Sequence, residues 1–236
     1  LPIEERMLWV VASGAALLAS NGRARGGHFV LRAKSRLLAL RGGRHVDACF
    51  FDFDGTLVNS EDMHRRTFEQ ILGVSLPVEY WNTKCVGSSP HKLIEENISA
   101  EQKAAMISRG ETVADLLVKR TALFEKQIDD GLLQATGGVH RLLSELKELG
   151  IRCAIVTSGS RSYVLKALER LGIVDAFEFI VAGDDVVIAS SGKHKPDPFP
   201  YAHAAERMQL SPCACLAFED TLTGIRSAQA AGMRVV

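Results

Sequence analysis

Asp52 and Asp54 stand two positions apart in the stretch DACFFDFDGTLVNS, directly after an apolar run and just before Gly55. In extended backbone, positions i and i+2 share a face, so the two carboxylates lie where they repel each other. A second acidic pair, Glu219 and Asp220, closes CACLAFED; Thr157 and Ser158 close IRCAIVTS; Lys195 lies in the proline-rich KHKPDP. If one edge of a fold gathered the four acids, a cation would be needed to make them tolerable together. All-oxygen ligation favours a hard ion, Mg²⁺, which binds through one or two carboxylates, waters and a substrate phosphate. An amine and two hydroxyls beside it suit a cluster of anionic oxygens, with Lys195 as a point charge. That chemistry is phosphoryl transfer. One aspartate attacks phosphorus, while the other protonates the leaving oxygen and then activates water. The two acids need different protonation states, and a shared site pushes their pKa values apart. Gly55 permits a turn that a side chain would obstruct.

Separate elements must deliver these residues. VDACFF is a short apolar run suited to a buried parallel strand, and IRCAIV, FEFIVAG, CACLAF and MRVV read as further strands. GGVHRLLSELKELG sets Val139, Leu142, Leu143, Leu146 and Leu149 on one helical face and ends on Gly150 as a C-cap. RSYVLKALERLG, the end of KHKPDPFPYAHAAERM and LTGIRSAQAAG read as helices too. Residues 60–136 offer no strand. SEDMHRRTFEQIL opens with Ser60 as cap, and SAEQKAAMISRGETVADLLVKRTALFEKQI carries Val113, Leu116, Leu117, Leu123, Phe124 and Ile128 at helical spacing. This stretch is predicted to be an all-helical insert. Strand–helix alternation on either side of it implies a mostly parallel sheet with helices on both faces. Ligands of such sheets collect outside the carboxyl ends of the strands, where every acid, hydroxyl and amine named above falls.

With 47% hydrophobic and 24% charged residues among 236, the chain has the composition of a globular protein with a sizeable core. Basic and acidic residues balance at 28 each, which excludes a global field suited to nucleic acid. The balance conceals an asymmetry: seven basic and no acidic residues lie between Met7 and Val46, whereas 26 acidic and 20 basic residues follow from Asp47. Leu8–Leu18 is too short to span a hydrocarbon layer of about 30 Å. Its length is that of a signal-peptide apolar region, and the arginine-rich, acid-free stretch after it is like a transit peptide. Residues 1–45 are therefore expected to be a targeting segment or basic extension. The expected destination is an organelle, a plastid ahead of a mitochondrion, with a solvated extension on a cytoplasmic protein as the alternative. No membrane attachment is expected of the mature form. The basic stretch lacks interleaved aromatics, so no nucleic-acid partner is expected. Cys49, Cys85, Cys153, Cys213 and Cys215 are an odd, scattered set, which argues against a disulfide framework and for a reducing compartment. Cys213-x-Cys215 has no second ligand pair and reads as packing in a buried strand.

In order and spacing, DFDGTLVNS, IVTSG, KPDP and FEDTLTGIRSAQAAGM resemble the four motifs of the haloacid dehalogenase-like (HAD) hydrolase superfamily. The nearest likeness is to its subfamily of β-phosphoglucomutase-like and phosphoglycolate-phosphatase-like enzymes, and it covers residues 47–236. The resemblance implies a Rossmann-like α/β core at 46–59 and 137–236, helices on both faces, and an inserted all-helical cap at 60–136. It also implies a strand and helix beyond Val236, so the chain is expected to be a fragment. Asp52 is implied as nucleophile and Mg²⁺ ligand, and Asp54 as general acid/base with its backbone carbonyl on the metal. Thr157, Ser158 and Lys195 take the phosphate-binding positions. Asp220 is implied as a direct metal ligand and Glu219 as a direct or water-mediated one. The dehalogenases lack an acid at the place of Asp54, so that residue speaks for phosphate chemistry.

The cap is expected to choose the substrate. Glu61 and His64, one turn apart on its first predicted helix, either face the site or are solvated. CVGSSPHKLIEENI resembles the cap loop and helix of β-phosphoglucomutase-like proteins, but Pro90 stands where the mutase has an arginine for the substrate's second phosphate. Lys92 is the candidate replacement, although an ammonium lacks the guanidinium fork. Arg161 either reaches a substrate or lies at a solvated helix end. The expected function is a Mg²⁺-dependent phosphatase acting on a small phosphorylated sugar or acid through an aspartyl phosphate. A sugar-phosphate mutase is the alternative enzyme reading. A non-catalytic binding relative is the third, and such a protein would usually have lost a motif aspartate.

Overall fold

In the computed structural model, which describes residues 46–86 and 90–236, five parallel strands form one sheet in the order β3-β2-β1-β4-β5. They are β1 Ala48–Phe51, β2 Arg152–Val156, β3 Ile180–Val181, β4 Cys215–Phe218 and β5 Arg234–Val235. The basic stretch at 1–45, with the targeting role expected of it, lies outside the described residues. The strand β1 takes the centre because all four of its residues are apolar and buried, so it can be covered from both sides. Cys49 and Phe51 belong to one apolar cluster and Ala48 and Phe50 to the other, as the two-residue period of a strand requires.

Helices cover both faces. Helix α5 (Val139–Glu148) contributes Val139, Leu142 and Leu146 to the first cluster, and α6 (Arg161–Leu171) contributes Val164, Ala167 and Leu168. On the opposite face, α8 (Phe199–Arg207) packs Tyr201, Ala204 and Ala205, and α9 (Leu222–Ala230) packs Ala228. FEFIVAG yields only two strand residues. A short helix not expected from the sequence, α7 (Val186–Ser191), follows it. Cys215 is buried in β4 as expected, whereas Cys213 sits exposed in the 3₁₀ turn before the strand, outside the packing predicted for it. All five cysteines are free.

The longer helices at 60–136 are α1 (Glu61–Leu72), α2 (Pro90–Asn97), α3 (Ala100–Ser108) and α4 (Val113–Asp129). A π-helical turn at Trp81–Cys85 lies between α1 and α2. These helices share their own apolar cluster, which includes Phe68, Leu72, Trp81, Ile94, Met106 and Leu116. The stretch Ser99–Ile128 is two helices because Gly110 adopts φ +67° and Thr112 with Asp115 forms a capping box that starts α4. The chain enters and leaves the insert side by side. Val58 bridges Ala135 antiparallel, and Asn59 N donates to Gln134 O at 3.0 Å. Ser60 precedes α1 but does not cap it with its side chain, contrary to expectation. Its hydroxyl is engaged elsewhere, as described below. No helix among the described residues is long and apolar enough to cross a membrane.

Phe51 and Phe218 are register partners on β1 and β4, and their rings stack at 4.6 Å with 6° between planes. Phe51→Ala is expected to cost about 3–5 kcal/mol of unfolding free energy, because it opens a cavity between the central strands. Ile107→Ala, at a position 70% exposed, is expected to stay within about 0.5 kcal/mol of the parent protein. Urea unfolding of the two variants checks the contrast.

Candidate active site

The first residues past β1 and β4 carry the acids. Asp52 N donates to Phe218 O at 2.9 Å, which continues the sheet register by one residue and sets Asp52 beside the end of β4. Glu219 and Asp220 follow directly. Oxygen atoms of Asp52, Glu219 and Asp220 lie within 4.8 Å of one another. Lys195 reaches into this group from the loop before α8. Its Nζ donates to Asp52 Oδ1 at 2.7 Å, to Glu219 Oε1 at 2.5 Å and to the carbonyl of Val156, the last residue of β2, at 2.8 Å. Tyr201, two turns of chain further on, donates its hydroxyl to the same Glu219 Oε1 at 2.6 Å. Thr56 Oγ1 donates to Asp220 Oδ1 at 3.1 Å.

Two glycines make room for the carboxylates. Gly55 has φ +80°, and a Cβ there would collide with the Asp220 carboxylate. At Gly224, in the first turn of α9, a Cβ would collide with the carboxylate of Glu219.

Burial pushes the Asp52 carboxyl up to about 8; the Lys195 charge opposes the rise, and Glu219 and Asp220 add to it. Asp220 is an exposed residue whose carboxyl is nonetheless pushed up to about 6, first by lost hydration and then by the Glu219 charge. Burial would depress Lys195, but Asp52 and Glu219 more than offset it and hold the ammonium above its ordinary value. Three carboxylates thus face one ammonium, with oxygen donors only, and this set fits a hard divalent cation.

Asp54 has different company. Burial would raise its carboxyl, yet donors from His64, Ser60 and Tyr163 hold it below the usual carboxylate range. The Ser60 hydroxyl donates to Oδ1 at 2.5 Å and the Tyr163 hydroxyl to the same oxygen at 2.6 Å, with His64 Nε2 at 3.3 Å. On its other side the His64 Nδ1 meets Arg120 of α4, and the imidazole stacks on Phe124 at 4.2 Å. Arg120 in turn lies over the Phe68 and Phe124 rings. Its buried Nε has no hydrogen-bond partner among the described residues.

The remaining expected site residues fall as follows. Thr157 is buried, and its Oγ1 accepts from Gly159 N at 3.0 Å, while Ser158 is exposed at the end of β2. Glu61 accepts from Trp81 Nε1 at 2.8 Å, and its charge acts on Asp220. Lys92 stands exposed on α2 with its Nζ 3.7 Å from Glu96. Arg161 opens α6 half-exposed, and its guanidinium is held by the protein itself. It forks onto Asp185 through two 2.7 Å bonds and donates to Ile180 O at 2.8 Å, which ties the start of α6 to the end of β3. Tyr163, Tyr201, Ser60 and Arg120 were not read from the sequence as site residues. Each sits at an apolar or capping position of a helix, and no local pattern marks where its polar atom ends.

Comparison with known proteins adds an independent line. The sequence profile of the haloacid dehalogenase-like hydrolases matches residues 49–236. The protein CbbY of Rhodobacter capsulatus is 34% identical over 202 residues, covering 81% of this chain and 84% of that protein. A phosphoglycolate phosphatase of Nitrosospira multiformis is 29% identical, with 80% of this chain and 82% of that protein covered. Among solved structures, CbbY from Rhodobacter sphaeroides in complex with phosphate is 25% identical with a TM-score of 0.66, covering 80% of this chain and 84% of that one. A mutant of that protein, in complex with xylulose-(1,5)bisphosphate, matches with the same TM-score of 0.66.

A cation binds carboxylates rather than carboxylic acids, so below the Asp52 pKa of about 8 it must displace a proton. Mg²⁺ affinity is therefore expected to rise with pH, by up to about tenfold per unit, and to level off once Asp52 is ionised. Calorimetric titration with Mg²⁺ across this range reads the slope. A flat profile would count against a protonated Asp52 in the metal-free protein.

Proposed function

The chain belongs to the haloacid dehalogenase-like hydrolases, and from that premise we propose that it is a Mg²⁺-dependent phosphatase of a small phosphorylated metabolite, acting through an aspartyl phosphate. The observation that carries this reading is the Lys195 ammonium held at 2.7 Å from Asp52 and 2.5 Å from Glu219, with Asp220 beside them. A carboxylate nucleophile has to approach a phosphoryl group that is itself anionic, and the approach requires concentrated positive charge.

Asp52 attacks phosphorus, so that a bond forms from its carboxylate oxygen as the ester P–O bond breaks and the electron pair leaves on the ester oxygen. Asp54, ionised in the empty site because His64, Ser60 and Tyr163 hold its carboxyl low, takes up a proton as the anionic phosphate ester binds and gives it to that oxygen. It then takes a proton from the water that attacks phosphorus, releasing phosphate and restoring Asp52. Lys195 orients Asp52 and faces the phosphoryl oxygens, joined by Ser158 and by the backbone N–H groups that open the turn after β2. Asp52, Glu219, Asp220 and the Asp54 carbonyl would hold Mg²⁺. When bound, the ion supplies positive charge that keeps Asp52 ionised at neutral pH and screens the phosphoryl oxygens.

The helices at 60–136 are proposed as the cap that selects the substrate, with Glu61, His64 and Lys92 as specificity residues. A sugar phosphate or phosphorylated acid fits the relatives, among which are a phosphoglycolate phosphatase and a CbbY crystallised with xylulose-(1,5)bisphosphate.

A panel of phosphorylated sugars and acids, assayed for free phosphate, tests this reading. Turnover is expected with Mg²⁺ and not with chelator, and Asp52→Asn is expected to lose at least about 10³-fold in kcat. Turnover indifferent to chelator would overturn the metal dependence. Isomer formation without net phosphate release would favour the mutase instead.

A further inference from the structure

Tyr163 is the third residue of α6, the helix that follows the turn after β2. Its ring packs edge-on against Phe53 at 5.4 Å and against Phe124 at 5.2 Å. Phe53 is the residue between the two aspartates, and Phe124 belongs to α4 of the helical insert. The side chain is buried, so the ring is held from both directions and the hydroxyl is confined beside Asp54 and Ser60. It donates to Asp54 Oδ1 at 2.6 Å. A phenol donates at neutral pH, and the acceptor here is a carboxylate oxygen, which makes the bond charge-assisted. Ser60 and His64 end on the same oxygen, and among the described residues none donates to Oδ2.

We propose that Tyr163 is a positioning residue for Asp54: it locks Oδ1 in place and so assigns the proton exchanged with the leaving oxygen to Oδ2. The proposal rests on the phosphatase reading above. General acid catalysis depends on holding the proton within hydrogen-bond reach of the leaving oxygen, and a carboxylate free to rotate about its last bond spends much of its time elsewhere. The packing of its ring between Phe53 and Phe124 gives Tyr163 a rigid hold on that oxygen.

The test uses the leaving group. An alkyl phosphate must have its leaving oxygen protonated, whereas p-nitrophenyl phosphate releases a stabilised phenolate that needs no proton. Tyr163→Phe keeps the ring and removes only the hydroxyl. On an alkyl phosphate that the parent enzyme hydrolyses, it is expected to lower kcat/KM, which reads only the steps through release of the leaving oxygen, by about 10- to 100-fold. On p-nitrophenyl phosphate it is expected to change kcat/KM less than about threefold. Asp54→Asn should show the same split in larger measure, and adding Tyr163→Phe to it should have little further effect, because the two act as a unit. Should Tyr163→Phe fail to fold, Tyr163→Leu, which keeps an apolar side chain in the same cluster and likewise removes the hydroxyl, is read the same way. An equal loss of kcat/KM on both esters, or no loss on either, overturns the role of Tyr163. Turnover of neither ester by the parent enzyme overturns the phosphatase reading instead, so the two failures are told apart.

Discussion

One ammonium ion holds the carboxyl ends of three strands together. Lys195 Nζ donates to Asp52 after β1, to the Val156 carbonyl at the end of β2 and to Glu219 after β4. Its side chain is only 6% exposed, and that of Glu219 is fully buried. Such a charge is tolerable only because it is paired, and the pairs are tolerable only because of it. The surrounding geometry follows from that constraint. Tyr201 takes the remaining demand of Glu219, Thr56 takes that of Asp220, and the absence of side chains at Gly55 and Gly224 lets both carboxylates approach the backbone.

Two residues further along, the same side chain meets the opposite environment. Asp52 is drawn into a cluster of like charges and its carboxyl rises to about 8, whereas Asp54 is met by hydroxyl and imidazole donors and its carboxyl falls. A metal-free pair of equivalent aspartates would share one fate. Here burial and neighbours separate them, Asp52 upward and Asp54 downward, the reverse of the order a nucleophile and a proton donor need; a bound cation would lower Asp52, and an approaching phosphate ester would raise Asp54. The donors to Asp54 come from α1 and α6, and the ring of Tyr163 touches α4 as well. The environment of the second aspartate is therefore built jointly by the sheet's helices and the helical insert, while that of the first is built by strand ends and by Lys195 from the loop before α8.

The five strands and their parallel sense were legible in the sequence because a strand buried on both faces has to be a short apolar run, and VDACFF, IRCAIV and CACLAF are such runs. The strand–helix alternation then predicts that polar residues after strands share an edge, and Asp52, Lys195, Glu219 and Asp220 do meet there. Ser60 shows the limit. A serine before a helix reads as a cap, since that rule is local; in the fold its hydroxyl turns to Asp54 instead. Arg161 is a second case, because the carboxylate it forks onto lies 24 residues away, directly before α7.

What the sequence determined by itself is the architecture and the inventory of the site, because hydrophobic period, strand ends and turn glycines are encoded within a few residues of where they act. What only the tertiary structure decided is which polar atoms meet. The bond from Tyr163 to Asp54 joins residues 109 apart and that from Lys195 to Asp52 joins residues 143 apart. In the sequence Tyr163 and Tyr201 are simply apolar-face residues of helices. A ring buried in a core leaves no local trace of where its hydroxyl ends, and only the packing of one helix against another determines that.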